Sequence, residues 1–95
     1  MTEDEFQAAQ SHGRGNREEI VASRTCGCFY CLGLFAPASI ERWLNEESGT
    51  AVCPLCQIDS VIGDASGYPV ESPQFLAEMH WRWFESSVPV EGSVG

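Results

Sequence analysis

The chain contains no lysine, and its five arginines face 14 aspartates and glutamates, a formal net charge of -9 over 95 residues. Affinity for phosphate comes mainly from clustered Lys and Arg. Nucleic acid and anionic membranes are therefore poor partners, and a basic protein is a better one. Long apolar runs are missing as well. None approaches the roughly 18 residues of a spanning helix, so no membrane span is expected. The opening residues, Met1-Thr2-Glu3-Asp4-Glu5-Phe6, are acidic and lack the apolar stretch of a secretory signal. A cytoplasmic location follows as the expectation. Histidine is scarce: His12 and His80 are the only two.

Cysteine is what the chain has in quantity. A chain this short buries a modest fraction of its surface, and such domains usually need a disulfide, a metal or a partner to hold them. Five cysteines in 95 residues raise the question of which staple is used. A secreted disulfide scaffold usually carries an even number. In a reducing compartment, paired cysteines more often bind metal or do redox chemistry.

Four of the five form two matched pairs, Cys28-Phe29-Tyr30-Cys31 and Cys53-Pro54-Leu55-Cys56. Residues 32–52 separate them, slightly more than the usual spacer of a four-cysteine zinc site. Two residues between cysteines allow a tight turn that aims both sulfurs at one ion. Zinc accepts four thiolates tetrahedrally, so two such turns close its shell. The expected ligands of one structural Zn2+ are Cys28, Cys31, Cys53 and Cys56. Cys26 lies two positions before Cys28 and stands as the alternative ligand in its place. Geometry favours zinc over iron, with a mononuclear iron site as the competing metal.

Other chemistry has thinner support. A thioredoxin-like site needs its Cys-x-x-Cys to open a long helix, and the helical pattern here begins several residues after Cys31. A catalytic zinc keeps an open position and a general base nearby. Four cysteines leave none open. His12 falls in an expected tail, and His80 lies on an apolar helix face as a core residue. Asp59, Asp64 and Glu71 are loop carboxylates without a nucleophile–base pair. The chain is not expected to be an enzyme.

Residues 1–19 read as a disordered acidic tail, 20–86 as a single zinc-binding domain and 87–95 as a flexible C-terminal tail. Within the domain, residues 23–28 approach the first pair in extended form and 32–35 leave it as a short strand. Pro37 suits the first turn of a helix, with Ile40, Trp43 and Leu44 on one face and Gly49 as its stop. Residues 50–52 and 58–62 have strand character. A last helix is expected over 73–86, with Phe75, Leu76, Met79, His80, Trp83 and Phe84 on its apolar half. Trp81 falls outside that half. Trp81 and Tyr68 are the candidate contact residues, since exposed aromatics favour interfaces.

The order of C-x2-C, strand, helix, strand and C-x2-C resembles the zinc-knuckle folds grouped as treble clefs and zinc ribbons. Cys28 to Cys31 with Phe35, Ile40 and Trp43, then residues 51–56 and 58–63, resemble small uncharacterised bacterial cytoplasmic proteins with a treble-clef-like finger. That resemblance covers residues 24–84. It implies a small α+β zinc-stabilised domain with a short antiparallel sheet and two helices. The treble clef also underlies HNH nucleases, but no histidine stands between Gly13 and Met79, so no catalytic residue carries over. The expectation is a non-catalytic protein-interaction module with a basic partner. The alternatives are a nucleic-acid-associated zinc finger and a degenerate HNH-like treble clef without nuclease activity.

Overall fold

Thr2 opens the first helix through a reciprocal cap. Its hydroxyl accepts the Glu5 N–H while the Glu5 carboxylate accepts the Thr2 N–H. Two donors that the helix start would orphan are thereby satisfied. The structure is a computed structural model that describes residues 2–44 and 49–85.

The first helix, α1 (Glu3–Ser11), buries Phe6 and Ala9. A second, α2 (Arg17–Ala22), buries Ile20. Helices thus occupy much of the stretch that composition reads as a tail. Phe6 looks isolated along the chain, yet it stacks on Phe75 with ring centroids 6.3 Å apart. Arg82 closes the other side, its guanidinium 4.2 Å from the Phe6 ring centre and bonded to Glu3 and Glu78. A partner face from the far end of the chain supplies the burial that the segment lacks by itself.

Strands β1 (Cys26–Cys28), β2 (Leu34–Phe35) and β5 (Val61–Gly63) form an antiparallel sheet in the order β2-β1-β5. Cys26 pairs with Phe35 on one side and Gly63 on the other. A second small sheet joins β3 (Trp43–Leu44) and β4 (Thr50–Ala51), Trp43 opposite Ala51. The helix expected after Pro37 does not form. Residues Pro37–Ser39 make one 3-10 turn and the chain then extends into β3. Ile40 and Trp43 suit extended backbone as well as a helix face, and Thr50–Ala51 offers β3 the ladder partner that a helix would forgo. The expected tail at 87–95 lies outside the described residues.

Two apolar clusters flank the main sheet. Phe6, Ala9, Phe29, Ile62, Val70, Phe75, Leu76 and Met79 make one; Ile20, Cys26, Cys28, Ile40, Ala51, Cys53 and Val61 make the other. Adjacent Val61 and Ile62 enter opposite clusters, as strand alternation dictates. The last helix, α3 (Pro73–His80), is capped by the Ser72 hydroxyl on the Phe75 N–H and continues as a wider π-wound turn, Trp81–Glu85. The architecture is a small α+β fold with three helices and short antiparallel sheets.

One buried amide joins these parts. Asn16 donates from Nδ2 to the carbonyls of His12 (2.8 Å) and Val61 (2.9 Å), and its Oδ1 accepts the Ala51 N–H at 3.2 Å. The end of α1, β4 and β5 meet on this single side chain. Every polar atom it buries is thereby satisfied.

Candidate metal centre

Each cysteine pair sits in a six-residue loop, 28–33 and 53–58, and the two loops repeat the same hydrogen bonds. The Cys28 N–H donates to the Gly33 carbonyl at 3.0 Å and the Cys53 N–H to the Ile58 carbonyl at 2.9 Å. In return, the Leu32 N–H reaches the Cys28 carbonyl at 2.8 Å and the Gln57 N–H reaches the Cys53 carbonyl at 2.9 Å. Closing so tight a loop requires a left-handed residue after the second cysteine. Leu32 and Gln57 take it, with φ of 66° and 67°. That conformation costs a side-chain-bearing residue on the order of 1–2 kcal/mol. Strain of this kind persists where surrounding structure enforces it, and here it appears at the same position of both loops.

The loops bring four sulfurs together. The Sγ atoms of Cys28, Cys31, Cys53 and Cys56 all lie within 4.8 Å of one another. Two contacts run between the loops: Cys28 to Cys56 at 3.6 Å and Cys31 to Cys53 at 3.7 Å. A disulfide needs about 2.05 Å, so neither pair is bonded. A tetrahedron with sulfurs at 2.3 Å from its centre has edges of about 3.8 Å. These two distances match that edge, and the four sulfurs can hold one metal ion.

The surroundings suit thiolates. Each sulfur accepts the N–H of the residue two positions on: Tyr30 to Cys28 and Leu55 to Cys53, both at 3.3 Å, with Gly33 serving Cys31 and Ile58 serving Cys56. Cys28 gathers more. The Cys31 N–H lies at 3.5 Å and the hydroxyl of buried Ser60 at 3.3 Å. In the metal-free chain, burial pushes the Cys28 thiol up, but these donors outweigh it and the net direction is down. Burial, then the negative charge of Cys28 and the neighbouring thiols, pushes Cys31 and Cys56 up despite their N–H donors. Such outer contacts orient ligands and tune a metal site.

Cys26 stands apart from the four-sulfur group. Its thiol is buried in the second cluster, where burial and then the charge of Asp64 push it up to about 11. A protonated, packed thiol is a small apolar side chain. Gly27 separates it from Cys28, and strand alternation alone could not say which of the two faces the loop.

The histidines have other tasks. His80 Nδ1–H donates to the Phe29 carbonyl at 3.2 Å, so α3 braces the first loop from behind. A carbonyl only accepts, which places the proton on Nδ1. His12 packs edge-on to Tyr68 and pairs with Glu19 at 2.8 Å. Tyr68 stacks on Phe75, with ring centroids 6.0 Å apart, and belongs to the first cluster. Trp81, in contrast, is 53% exposed. Ser60, the bond of His80 to the first loop and the left-handed pair Leu32 and Gln57 escape sequence reasoning. Only the equal loop spacing hints at the last two.

Comparison with family models, curated proteins and solved structures returned no match for this chain.

Proposed function

We propose that this chain is a non-catalytic protein-interaction module built on one structural zinc ion held by Cys28, Cys31, Cys53 and Cys56. The observation that carries the reading is the set of four sulfurs within 4.8 Å of one another, two of the inter-loop distances at 3.6 and 3.7 Å, delivered by two loops with the same hydrogen-bond pattern. Zinc would supply a closed, redox-inert cross-link between those loops. Four thiolates leave no open position for a reacting water. Of the two zinc-knuckle groups that the sequence resembles, the ribbon suits these loops better, since strands rather than a helix follow both pairs.

The acidic balance favours a basic protein partner, and reduced thiolates fit a cytoplasmic setting. With four thiolates on a divalent ion, the formal charge moves from -9 to roughly -11. A nucleic-acid finger would need its arginines gathered on one face. Instead Arg17 lies over Trp43, Arg42 donates to Gln57, and Arg82 is engaged by Glu3 and Glu78. The exposed Trp81 remains a candidate contact.

Elemental analysis of the purified protein tests the metal. A strong chelator, or Cys53→Ser, is expected to unfold the domain, because binding energy at such a site is folding energy. Cooperative melting retained in metal-free protein would defeat the structural role. Affinity purification from source cells, wild type beside Trp81→Ala, tests the interaction role.

A further inference from the structure

A cleft of about 210 Å³ opens between the end of α1, the first cysteine loop and the π-wound turn. Gln10, Arg14, Phe29, Asp59, Trp83 and Phe84 border it. The volume is room for about seven waters. A drug-sized ligand takes about 300–1,000 Å³, so a nucleotide or a larger cofactor does not fit. Ser60 also borders the cleft, but its hydroxyl is held by Cys28.

The cleft carries one charge of each sign. The ion pairs of the described residues are His12–Glu19, Arg82–Glu3 and Arg82–Glu78. Arg14 and Asp59 belong to none of them, and neither side chain makes a hydrogen bond among the described residues. A guanidinium only donates and a carboxylate only accepts. These two border one small space without closing on each other, which leaves both open to a ligand that carries the opposite charges. Trp83 adds a third group. Its indole N–H is buried and has no acceptor among the described residues. Buried polar atoms left in that state are rare and costly. With no exposed surface of its own, this N–H meets a ligand only when the ring turns toward the cleft.

We infer that this cleft binds a small free α-amino acid, its carboxylate on Arg14 and its ammonium on Asp59. Charge selects the class. A bare anion would meet Asp59 and a chain of net charge -9. A bare cation would meet Arg14. A zwitterion satisfies both walls and is itself neutral. Volume selects the size. Alanine, serine and valine, with about six to eight non-hydrogen atoms, suit a space of about seven waters, and aromatic amino acids overfill it. The short side chain rests against Phe84, and the Gln10 amide can serve either end of the ligand because it both donates and accepts. The site goes beyond the zinc-module reading and does not require it, since no side chain named for it is a metal ligand.

The test titrates full-length zinc-loaded protein with L-alanine and follows backbone and indole N–H groups by two-dimensional NMR. Saturable shifts are expected at Gly13, Arg14 and Asp59. The Trp83 indole N–H, identified by its loss in Trp83→Phe, should move downfield as it gains an acceptor. Arg14→Gln and Asp59→Asn replace exposed side chains, so each should weaken alanine binding about tenfold at an unchanged melting curve. Acetate and methylammonium each carry half of the ligand, and phenylalanine carries both charges on too large a body. All three should bind about tenfold more weakly than alanine, a comparison that needs no variant. Acetate binding as tightly as alanine, and surviving Asp59→Asn, would reduce the site to an anion contact of Arg14 and overturn the proposal. So would the absence of saturable shifts, or alanine affinity left unchanged by both variants. Contacts from Val88 or Val90 into the cleft of the ligand-free protein would overturn it as well. None of these failures touches the zinc-module reading, which stands or falls on the metal content.

Discussion

Replacing Ser60 with alanine removes one hydrogen bond from the metal centre and little else. The Ser60 hydroxyl is buried and lies 3.3 Å from Cys28 Sγ, and its backbone carbonyl, which accepts the Phe29 N–H, survives the change. A thiolate on a metal can only accept, so the hydroxyl is the donor. A hydrogen bond to a charged group contributes roughly 1.5–3 kcal/mol. Sulfur spreads its charge over a large atom, and Cys28 keeps the N–H groups of Tyr30 and Cys31. The lower end applies, about 1.5 kcal/mol, which is roughly tenfold in metal affinity. Competition for zinc against a chelator of known strength measures that loss. Since binding is coupled to folding, a loosened fold would also weaken affinity, and a second readout is needed. Removing a hydrogen bond from sulfur raises the energy of its lone pairs. The sulfur-to-metal charge-transfer band of the cobalt-substituted protein should therefore move to longer wavelength in Ser60→Ala. Wild-type affinity within twofold and an unmoved band would refute the assignment of Ser60 to the centre.

Cys26→Ala should leave the metal stoichiometry and the cobalt spectrum unchanged, whereas Cys28→Ala abolishes the four-thiolate spectrum. Cys26 is fully buried and its thiol is pushed up to about 11, so in folded protein at pH 8 it should resist iodoacetamide, as mass spectrometry can follow. Zinc takes thiolates, and Cys31 and Cys56 are pushed up in the metal-free chain. Loading at pH 7 should therefore expel about three to four protons per ion, countable by calorimetry in two buffers of different ionisation heat. The same linkage means that acidification returns those protons and releases the metal. Asn16→Ala strands two buried backbone groups, the Val61 carbonyl and the Ala51 N–H; at about 1–3 kcal/mol each it should cost roughly 3 kcal/mol, read as a lower urea midpoint at unchanged slope in zinc-saturated protein.

The cysteine pairs were legible because their chemistry is local. Two sulfurs three positions apart can be aimed by one turn, and nothing distant has to be known. The short strands at 26–28 and 50–51 were legible for a similar reason, each lying beside a cysteine loop, whereas of the stretch expected at 58–62 only its end is strand, over Val61–Gly63. What failed was everything decided across the chain. Phe6 is a single aromatic in a polar segment, and its burial depends on Phe75 and Arg82. Ile40 and Trp43 carry a spacing that a helix and an extended segment share, and pairing with β4 decided between them. Tyr68 looked like a free contact because its partners, His12 and Phe75, are remote in sequence. The Ser60 hydroxyl at Cys28 spans 32 positions, and no spacing rule reaches that far.

Loop repetition also accounts for where the two pairs differ. Four of the six positions tolerate a change of residue: Phe29 for Pro54, Tyr30 for Leu55, Leu32 for Gln57 and Gly33 for Ile58. The backbone pattern is unchanged across all four, so the cysteines and the N–H groups define the loop, and the side chains are free for other uses. In the first loop that freedom is partly consumed by packing. Phe29 enters the first cluster and its carbonyl holds His80, while Gly33 has no side chain because Leu55 lies over it. In the second loop, Pro54 and Gln57 border the cleft with Glu41 and Arg42. Tyr30, Leu32 and Leu55 remain without a metal-binding task. Tyr30 is half-claimed by Phe84, 4.9 Å away and edge-on. Leu55 lies over Gly33 close to the Cys31 sulfur, and Leu32, next to Cys31 in the chain, is exposed. A metal that only stapled the fold would be served as well by polar residues at both positions. Leucine at 32 and 55 instead separates the question of how the chain folds from the question of what it meets.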